Sequence, residues 1–367
     1  MLFCENESVV KRTISISAFF LAMLAIVLYA SLHKEEKVAP VVAPSVVAEI
    51  SPKPIDSSPT VCGNFFKAAC ENKKVFRDPT GVVDPDVKGE IEALRLYETI
   101  MHKHRDWTSQ KVEADLVRQI YTKKRVEQLR STFDWVKTEI HKFIERQPAE
   151  TFSETERTKM LRELDRTVLE LPPPANIYFD ELDLLTKNDV YFEQTPTGKK
   201  RMRVGGAYLL AAKSWFNQVF TFAHELSHSI DPCEMKFAGV HVHAYDRLES
   251  CLLNKKVIHK TSNWSACGDT DQFPEAFADW IAASITAESF VREIDQFHSK
   301  QDRESAAINA VKDICDEGSS WVEIDTVLHP PPRARVEGIF GSNQEVRRFL
   351  DCRVPRKSAE PCSFGRK

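Results

Sequence analysis

Apolar residues recur at helical spacing over most of this chain, and one central region instead shows the short alternating runs that are typical of strands. Helices are predicted at about residues 87–147, 154–171, 211–230, 274–297 and 305–316. Short strands are predicted at Asn176–Phe179, Val190–Phe192 and Arg201–Gly205. The pattern therefore predicts a mainly α protein with a small β-sheet, an α+β fold. A sheet of this kind next to a functional helix would offer an edge for an extended peptide.

An uncharged apolar run lies near the start of the chain, at Ile14–Leu32. Its length is what a single helix needs to cross a bilayer core of about 30 Å. Leu28 and Ala30, near the end of the run, fit the small-residue pattern of a cleavage site poorly, which favours an uncleaved transmembrane signal-anchor over a removed signal sequence. Because Lys11 and Arg12 precede the run, residues 1–13 are predicted as a cytoplasmic tail and the body as extracytoplasmic. The proline-rich residues 33–61 predict a linker between membrane and body.

Composition agrees with an exported protein and gives no support to a nucleic-acid partner. The formal net charge is −4 and the pI is near 6.3. Cys4 precedes the apolar run, and eight further cysteines follow it without a repeated C-x-x-C spacing. Such cysteines predict disulfides in an oxidising compartment, with free buried thiols as the alternative. Asn263 begins an N-W-S glycosylation sequon.

The candidate chemistry lies in the segment H-E-L-S-H at residues 224–228. His224 and His228 are four residues apart, so on a helix both imidazoles project from one face and are able to hold one metal ion. In such sites a zinc ion supplies Lewis acidity and an acidified water, and the intervening Glu225 takes the proton of that water as it attacks a carbonyl. The segment predicts zinc-dependent peptide hydrolysis. An amphipathic helix with two incidental histidines is the alternative.

Glu275 is the best candidate for a third protein ligand. Pro274 is suited to the first turn of a helix, and Asp279 follows Glu275 by one turn on the same face. Asp279 would accept a hydrogen bond from a ligating imidazole and so fix its tautomer. Competing ligands are His241, His243 and His259. A metzincin site is excluded because Glu234 occupies the position of that family's third histidine.

Four segments of the chain resemble the neprilysin and endothelin-converting-enzyme family of membrane zinc metallopeptidases. They are C-G-N-F-F-K-A-A-C at 62–70, H-E-L-S-H-S-I-D at 224–231, E-A-F-A-D at 275–279 and H-P-P-P-R-A-R-V-E-G at 329–338. The resemblance implies a thermolysin-like gluzincin catalytic domain over residues 173–367. Residues 62–172 would then hold the N-terminal cysteine segment and a reduced helical domain.

The resemblance also implies a role for each residue of the site, with one Zn²⁺ per chain. The implied roles are metal ligation for His224, His228 and Glu275, general-base catalysis for Glu225, and orientation of the imidazoles for Asp231 and Asp279. His329 would donate to the developing oxyanion, and Arg335 would bind a substrate backbone carbonyl. The implied disulfides are Cys62–Cys352, Cys70–Cys315 and Cys251–Cys362, which leaves Cys233 and Cys267 for each other.

Two departures from the family pattern qualify these expectations. The family's substrate-binding edge strand has its nearest counterpart at Asn188-Asp-Val-Tyr191, so Asn188 receives no firm role. Because family ectodomains are considerably longer, the short helical segment predicts a more open cleft.

The predicted function is a membrane-anchored zinc endopeptidase that acts on extracytoplasmic peptides or exposed protein segments. The alternatives are a non-catalytic membrane-tethered scaffold that retains a zinc site, and a zinc amidase acting on a non-peptide or cell-wall amide.

Overall fold

The structure is a computed structural model, and it describes residues 61–71, 77–78, 81–82, 85–171, 182–211, 213–260, 272–315, 329–352 and 362–364. The predicted membrane span at Ile14–Leu32, the predicted strand at Asn176–Phe179 and the sequon at Asn263 lie outside these residues. Among the helices that are described, none combines the length and the apolar character needed to cross a membrane. Ser57–Lys367 forms one compact unit.

Helices dominate the described residues, which confirms the mainly α prediction. The α-helices are α1 (Pro85–Lys103), α2 (Ser109–Ile120), α3 (Lys123–Glu145), α4 (Glu154–Arg166), α5 (Leu182–Thr186), α6 (Gly206–Leu210), α7 (Trp215–Ser227), α8 (Pro232–Phe237), α9 (His243–Asn254), α10 (Phe273–Arg292), α11 (Lys300–Val311) and α12 (Gln344–Phe349). Short 3₁₀ turns are found at His228–Ile230, Ile294–Gln296 and Lys312–Cys315, and π-helical turns at Lys67–Glu71 and Ala334–Phe340.

A small sheet accompanies the helices, as the sequence predicts, and two of its three strands lie at predicted positions. The strands are β1 (Arg77–Asp78), β2 (Gly81–Val82), β3 (Val168–Leu169), β4 (Val190–Gln194) and β5 (Lys200–Val204). The order of the larger sheet is β3-β5-β4, with β5 antiparallel to β4 and parallel to β3, while β1 and β2 form a separate antiparallel pair. Strand β4 therefore lies at an edge of the described sheet, next to α7.

The predicted helix at 154–171 is too long at its C-terminal end. Helix α4 ends at Arg166, and Thr167 takes an extended conformation with φ −78° and ψ 125°. Val168 and Leu169 then pair with Arg201 and Met202 of β5. A β-branched residue such as Val168 fits a strand well, and this pairing with residues that lie 33 positions further along the chain outweighs the local helical pattern.

Helices α7 and α10 form the centre of the core. Helix α7 and the turn after it carry the H-E-L-S-H segment at 224–228, and α10 carries the E-A-F-A-D segment at 275–279. Ser214 caps α7, since its hydroxyl accepts the Asn217 N–H at 3.2 Å, and Pro274 begins the first turn of α10. Apolar residues surround both helices, and the buried alanines of α10 permit close approach to α7. The motif side chains are therefore fixed on two packed helices rather than on loops.

Disulfides join the first described segment to the C-terminal part of the chain. Cys62 is bonded to Cys352 and Cys70 to Cys315, across 290 and 245 residues, and Cys251 is bonded to Cys362. These are the three pairs that the resemblance implies. Cys233 also takes part in a disulfide, while Cys267, its predicted partner, lies outside the described residues.

Candidate metal centre

The two motif histidines meet at the C-terminal end of α7. His224 lies in the last turn of the helix, and His228 begins the 3₁₀ turn that continues it. Their Nε2 atoms are 3.3 Å apart, and both residues are largely buried. The four-residue spacing therefore brings both imidazoles to one point, as predicted.

Glu275, in the first turn of α10, brings a carboxylate to the same point. Its Oε2 lies 3.1 Å from His224 Nε2 and 3.5 Å from His228 Nε2. Ligand atoms on a tetrahedral zinc with bonds of about 2.0–2.1 Å lie about 3.3–3.4 Å from one another. The three atoms thus already have nearly the mutual spacing that one ion requires, and these residues form one of two groups in the described chain that suit a metal ion.

Two buried carboxylates orient the imidazoles from behind. His224 Nδ1 lies 2.9 Å from Asp279 Oδ1, and His228 Nδ1 lies 3.0 Å from Asp231 Oδ2. If each Nδ1 carries the proton that it donates to its carboxylate, each neutral imidazole directs its Nε2 lone pair toward Glu275. Two lone pairs and a carboxylate oxygen repel one another at such distances unless a cation lies between them.

The Glu275 carboxylate supports the same assignment. Its Oε2 is buried and receives no hydrogen bond of acceptable geometry from the described residues, although three imidazole nitrogens surround it. A buried, unsatisfied carboxylate oxygen is costly, and a metal ion would satisfy it. A set of two imidazoles and one carboxylate suits zinc and its neighbouring transition metals.

The pKa values of the site residues also indicate that the cluster favours a bound positive charge. Burial lowers the pKa of His224, but the hydrogen bond with Asp279 and the close Glu275 carboxylate outweigh it and raise the value to about 9. Burial raises the pKa of Glu275, but the charge of His228 and the histidine contacts outweigh it and hold the pKa well below the usual value. Without a metal, the cluster binds protons in its place.

Glu225 lies beside the metal ligands and contacts the sheet. Its Oε1 is 4.0 Å from His224 Nε2, and its Oε2 accepts the Phe192 N–H of β4 at 2.7 Å. Burial raises the pKa of the Glu225 carboxyl, and the nearby carboxylates of Asp189 and Glu275 act in the same direction, against the charge of the two histidines. Strand β4 thus fixes the carboxylate that stands next to the ligand cluster.

His329 and Arg335 reach the site from the C-terminal segment. His329 Nε2 lies 3.0 Å from Glu275 Oε2, and about a third of its side chain (34%) is exposed. Arg335 is buried and binds Asp279 through Nε at 2.6 Å and Nη2 at 2.9 Å. These bonds balance the charge of Asp279. The contact of Arg335 with a substrate carbonyl stays a prediction.

A cavity of about 770 Å³ lies at this site. Its lining includes His224, Glu225, His228, Asp231, Glu275, His329 and Arg335, together with residues 188–192, which lead into β4. The cavity is large enough for several amino-acid side chains. Asn188, which received no firm role from the sequence, is among its lining residues.

Further polar groups, which no sequence pattern predicts, line other parts of the cavity. Lys213 and Asp313 form an ion pair there, with Lys213 Nζ 2.9 Å from Asp313 Oδ2, and Asn217 lies nearby on α7. Asp189 also lines the cavity, and burial raises its pKa. Lys213, Asn217 and Asp313 belong to no short motif, and Lys213 and Asp313 are 100 residues apart, so only the fold brings them together.

The competing ligands proposed from the sequence lie elsewhere. His241 and His243 form a separate exposed group with Asp246, and His259 belongs to neither group. A comparison with models of known protein families finds no match for this chain, and a comparison with curated protein sequences finds none either.

Proposed function

We propose that this chain is a zinc-dependent endopeptidase that hydrolyses peptide bonds in extracytoplasmic peptides or exposed protein segments. The observation that carries the proposal is the convergence of His224 Nε2, His228 Nε2 and Glu275 Oε2 within 4.8 Å, beside the carboxylate of Glu225 and inside one cavity. We also propose that the chain belongs to the neprilysin family, which it resembles, and has that family's thermolysin-like gluzincin fold.

His224, His228 and Glu275 are the residues that would hold the zinc ion. Zinc, when bound, polarises a substrate carbonyl and acidifies a water molecule. Asp279 and Asp231 hold the two imidazoles in the tautomer that ligation needs, through contacts of 2.9 and 3.0 Å. Arg335 in turn keeps Asp279 ionised, since the pKa of Asp279, which burial alone would raise, falls to about 2 beside Arg335 and His224.

Glu225 is the general base of the proposed mechanism. Its carboxylate faces the cavity beside the ligand cluster, where it accepts the proton of the attacking water and later returns it to the leaving amine. The Phe192 N–H holds one carboxylate oxygen at 2.7 Å, so the side chain is positioned before substrate arrives. A site that only retained a metal would have no need of this group.

His329 is the proposed donor to the oxyanion that forms on the substrate carbonyl. The residue lines the cavity, lies next to Glu275 and is partly exposed, so its ring is accessible to a bound peptide. One such donor contributes about 10²–10³-fold to kcat in other acyl-transfer enzymes.

An extended peptide is the substrate that the cavity favours. Residues 188–192 of the edge region line the cavity, and an edge strand offers main-chain groups to an extended segment. The disulfides suit the extracytoplasmic location, and Ile14–Leu32 would anchor the enzyme in the membrane. The reduced helical segment is consistent with access for protein loops as well as short peptides.

The first experiment measures zinc and cleavage on the same oxidised, full-length protein. We expect one zinc in the buried site, cleavage of members of a peptide library, and loss of cleavage on addition of a chelator. His224→Ala should lose that zinc and all turnover. Firm zinc binding without cleavage of any peptide would contradict the peptidase proposal and favour the scaffold, while cleavage confined to non-peptide amides would favour the amidase.

A further inference from the structure

A second group of metal-binding side chains lies on the surface, at the start of α9. His241 Nε2 is 2.9 Å from Asp246 Oδ2, and His243 Nδ1 is 3.9 Å from the same oxygen. The three residues each offer one ligand atom, and these atoms all lie within 4.8 Å of one another. The imidazole rings of His241 and His243 are nearly perpendicular, with centroids 4.7 Å apart.

The local backbone explains why these three side chains meet. Val242 is buried (2% exposed) and extended, with φ −100° and ψ 100°, so its two histidine neighbours remain at the surface. Helix α9 begins at His243, and Asp246 follows three residues later on the same face. Spacing and burial together thus present two imidazoles and a carboxylate to solvent from one short segment.

The segment is anchored on both sides. The His243 N–H donates to Glu156 Oε1 of α4 at 3.2 Å, and the Tyr245 hydroxyl donates to the Ile230 carbonyl at 2.7 Å. The backbone that carries the three side chains is therefore tied to the core and does not have to be ordered by a ligand. A site with an ordered backbone loses little conformational entropy when it binds an ion.

We propose that His241, His243 and Asp246 bind a divalent transition-metal ion of the zinc and copper class, separately from the cluster at His224. Two imidazoles with one carboxylate favour such ions over calcium or magnesium, which prefer oxygen ligands throughout. The side chains are 65%, 77% and 57% exposed, so small rotations bring the ligand atoms to metal-bonding distance without displacing packed neighbours. Water would complete the coordination of the ion.

Two carboxylates lie close to the imidazoles. One is Asp246, a proposed ligand, and the other is Glu156, whose Oε1 accepts the His243 N–H at 3.2 Å. The N-terminal end of the α9 dipole opposes a cation, but this effect is small at an exposed site. A bound ion would tie the segment before α9 to its first turn, next to the Tyr245 contact with the turn that follows His228.

The test counts zinc ions per chain in the oxidised, full-length protein by equilibrium dialysis and mass spectrometry. We expect His241→Ala/His243→Ala to bind one zinc fewer than the wild type at the same free zinc concentration. The matched control is His102→Ala/His298→Ala, which removes two histidines that belong to neither group and should bind as much zinc as the wild type. The expected difference of one ion does not depend on what the buried cluster binds.

Asp246→Asn provides a second, milder variant that keeps the shape of the side chain. It should weaken the surface zinc by at least about 10–100-fold, since loss of a group that merely supports a metal ligand already has an effect of that size. Copper added to the zinc-loaded wild type should give an electron paramagnetic resonance signal with two nitrogen ligands, and the double histidine variant should lack it. Equal zinc content in the wild type and the double histidine variant would overturn the proposal, as would an unchanged copper signal.

Discussion

The buried pair of Asp279 and Arg335 offers the sharpest test of how the site is supported. Asp279 is 1% exposed and Arg335 is 3% exposed, and two hydrogen bonds of 2.6 and 2.9 Å join them. Asp279→Asn keeps the shape of the side chain but leaves the guanidinium buried without its counter-charge. Removing one partner of a buried ion pair typically costs about 3–5 kcal/mol, so we expect a loss of that size in the free energy of unfolding of the zinc-free protein.

The pKa of Asp279 gives an independent value for the stabilisation that this residue provides, and it gives the direction in which that stabilisation changes with pH. Burial raises this pKa, but Arg335 and His224 outweigh burial and lower it from 3.8 to about 2, which corresponds to roughly 2 kcal/mol. A lowered folded-state pKa stabilises the fold fully above pH 3.8, and this contribution is lost as the pH falls toward 2. Asp279→Asn should therefore be less stable than the wild type at neutral pH, and the gap should narrow in acid.

The assay is urea unfolding of the oxidised protein in the presence of a chelator, followed at neutral and acid pH. Asp165→Asn is the matched control, because Asp165 also contacts a histidine, His141, but is 60% exposed, and its loss should change stability by less than about 0.5 kcal/mol. A cost below about 1 kcal/mol for Asp279→Asn would refute the reasoning. Zinc affinity should also fall about 10–100-fold, because His224 loses its carboxylate partner.

Three further predictions concern other parts of the fold and the site. Lys200→Met should cost about 3–5 kcal/mol in urea unfolding, because the buried Lys200 ammonium lies 3.1 Å from the buried carboxylate of Glu163; a neutral effect would contradict this role. His329→Ala should lower kcat about 10²-fold with unchanged zinc content, whereas a loss confined to KM would assign His329 to substrate binding. Cys62→Ser/Cys352→Ser should lose about 2–5 kcal/mol of stability, and mass mapping that finds both wild-type residues as free thiols would contradict the pairing.

Sequence was a good guide where the relevant geometry is local. The spacing of His224 and His228 fixes their meeting on one helix face, and that of Glu275 and Asp279 does the same on α10. Two such helices, each rich in apolar residues, become the centre of the core. The site geometry therefore follows largely from helical periodicity, and the need of a metal site for a third ligand predicts that the two helices meet.

Sequence was a poor guide where distant residues determine the outcome. The resemblance assigns Arg335 to the substrate, yet the residue also pairs with Asp279 across 56 residues, which no local pattern encodes. Val168 and Leu169 continue a helical pattern, but their pairing with β5 makes them a strand. The pairing of Lys213 with Asp313 depends in the same way on tertiary contacts.

Replacement of Glu225 by glutamine is the most direct test of the proposed peptidase mechanism. Glutamine keeps the size of the side chain and leaves His224, His228 and Glu275 in place, but it cannot accept the proton of the attacking water. The measurement is zinc content and peptide turnover on the same sample of Glu225→Gln. The mechanism predicts zinc content equal to that of the wild type and loss of turnover; cleavage at the wild-type rate by the zinc-loaded variant would contradict it.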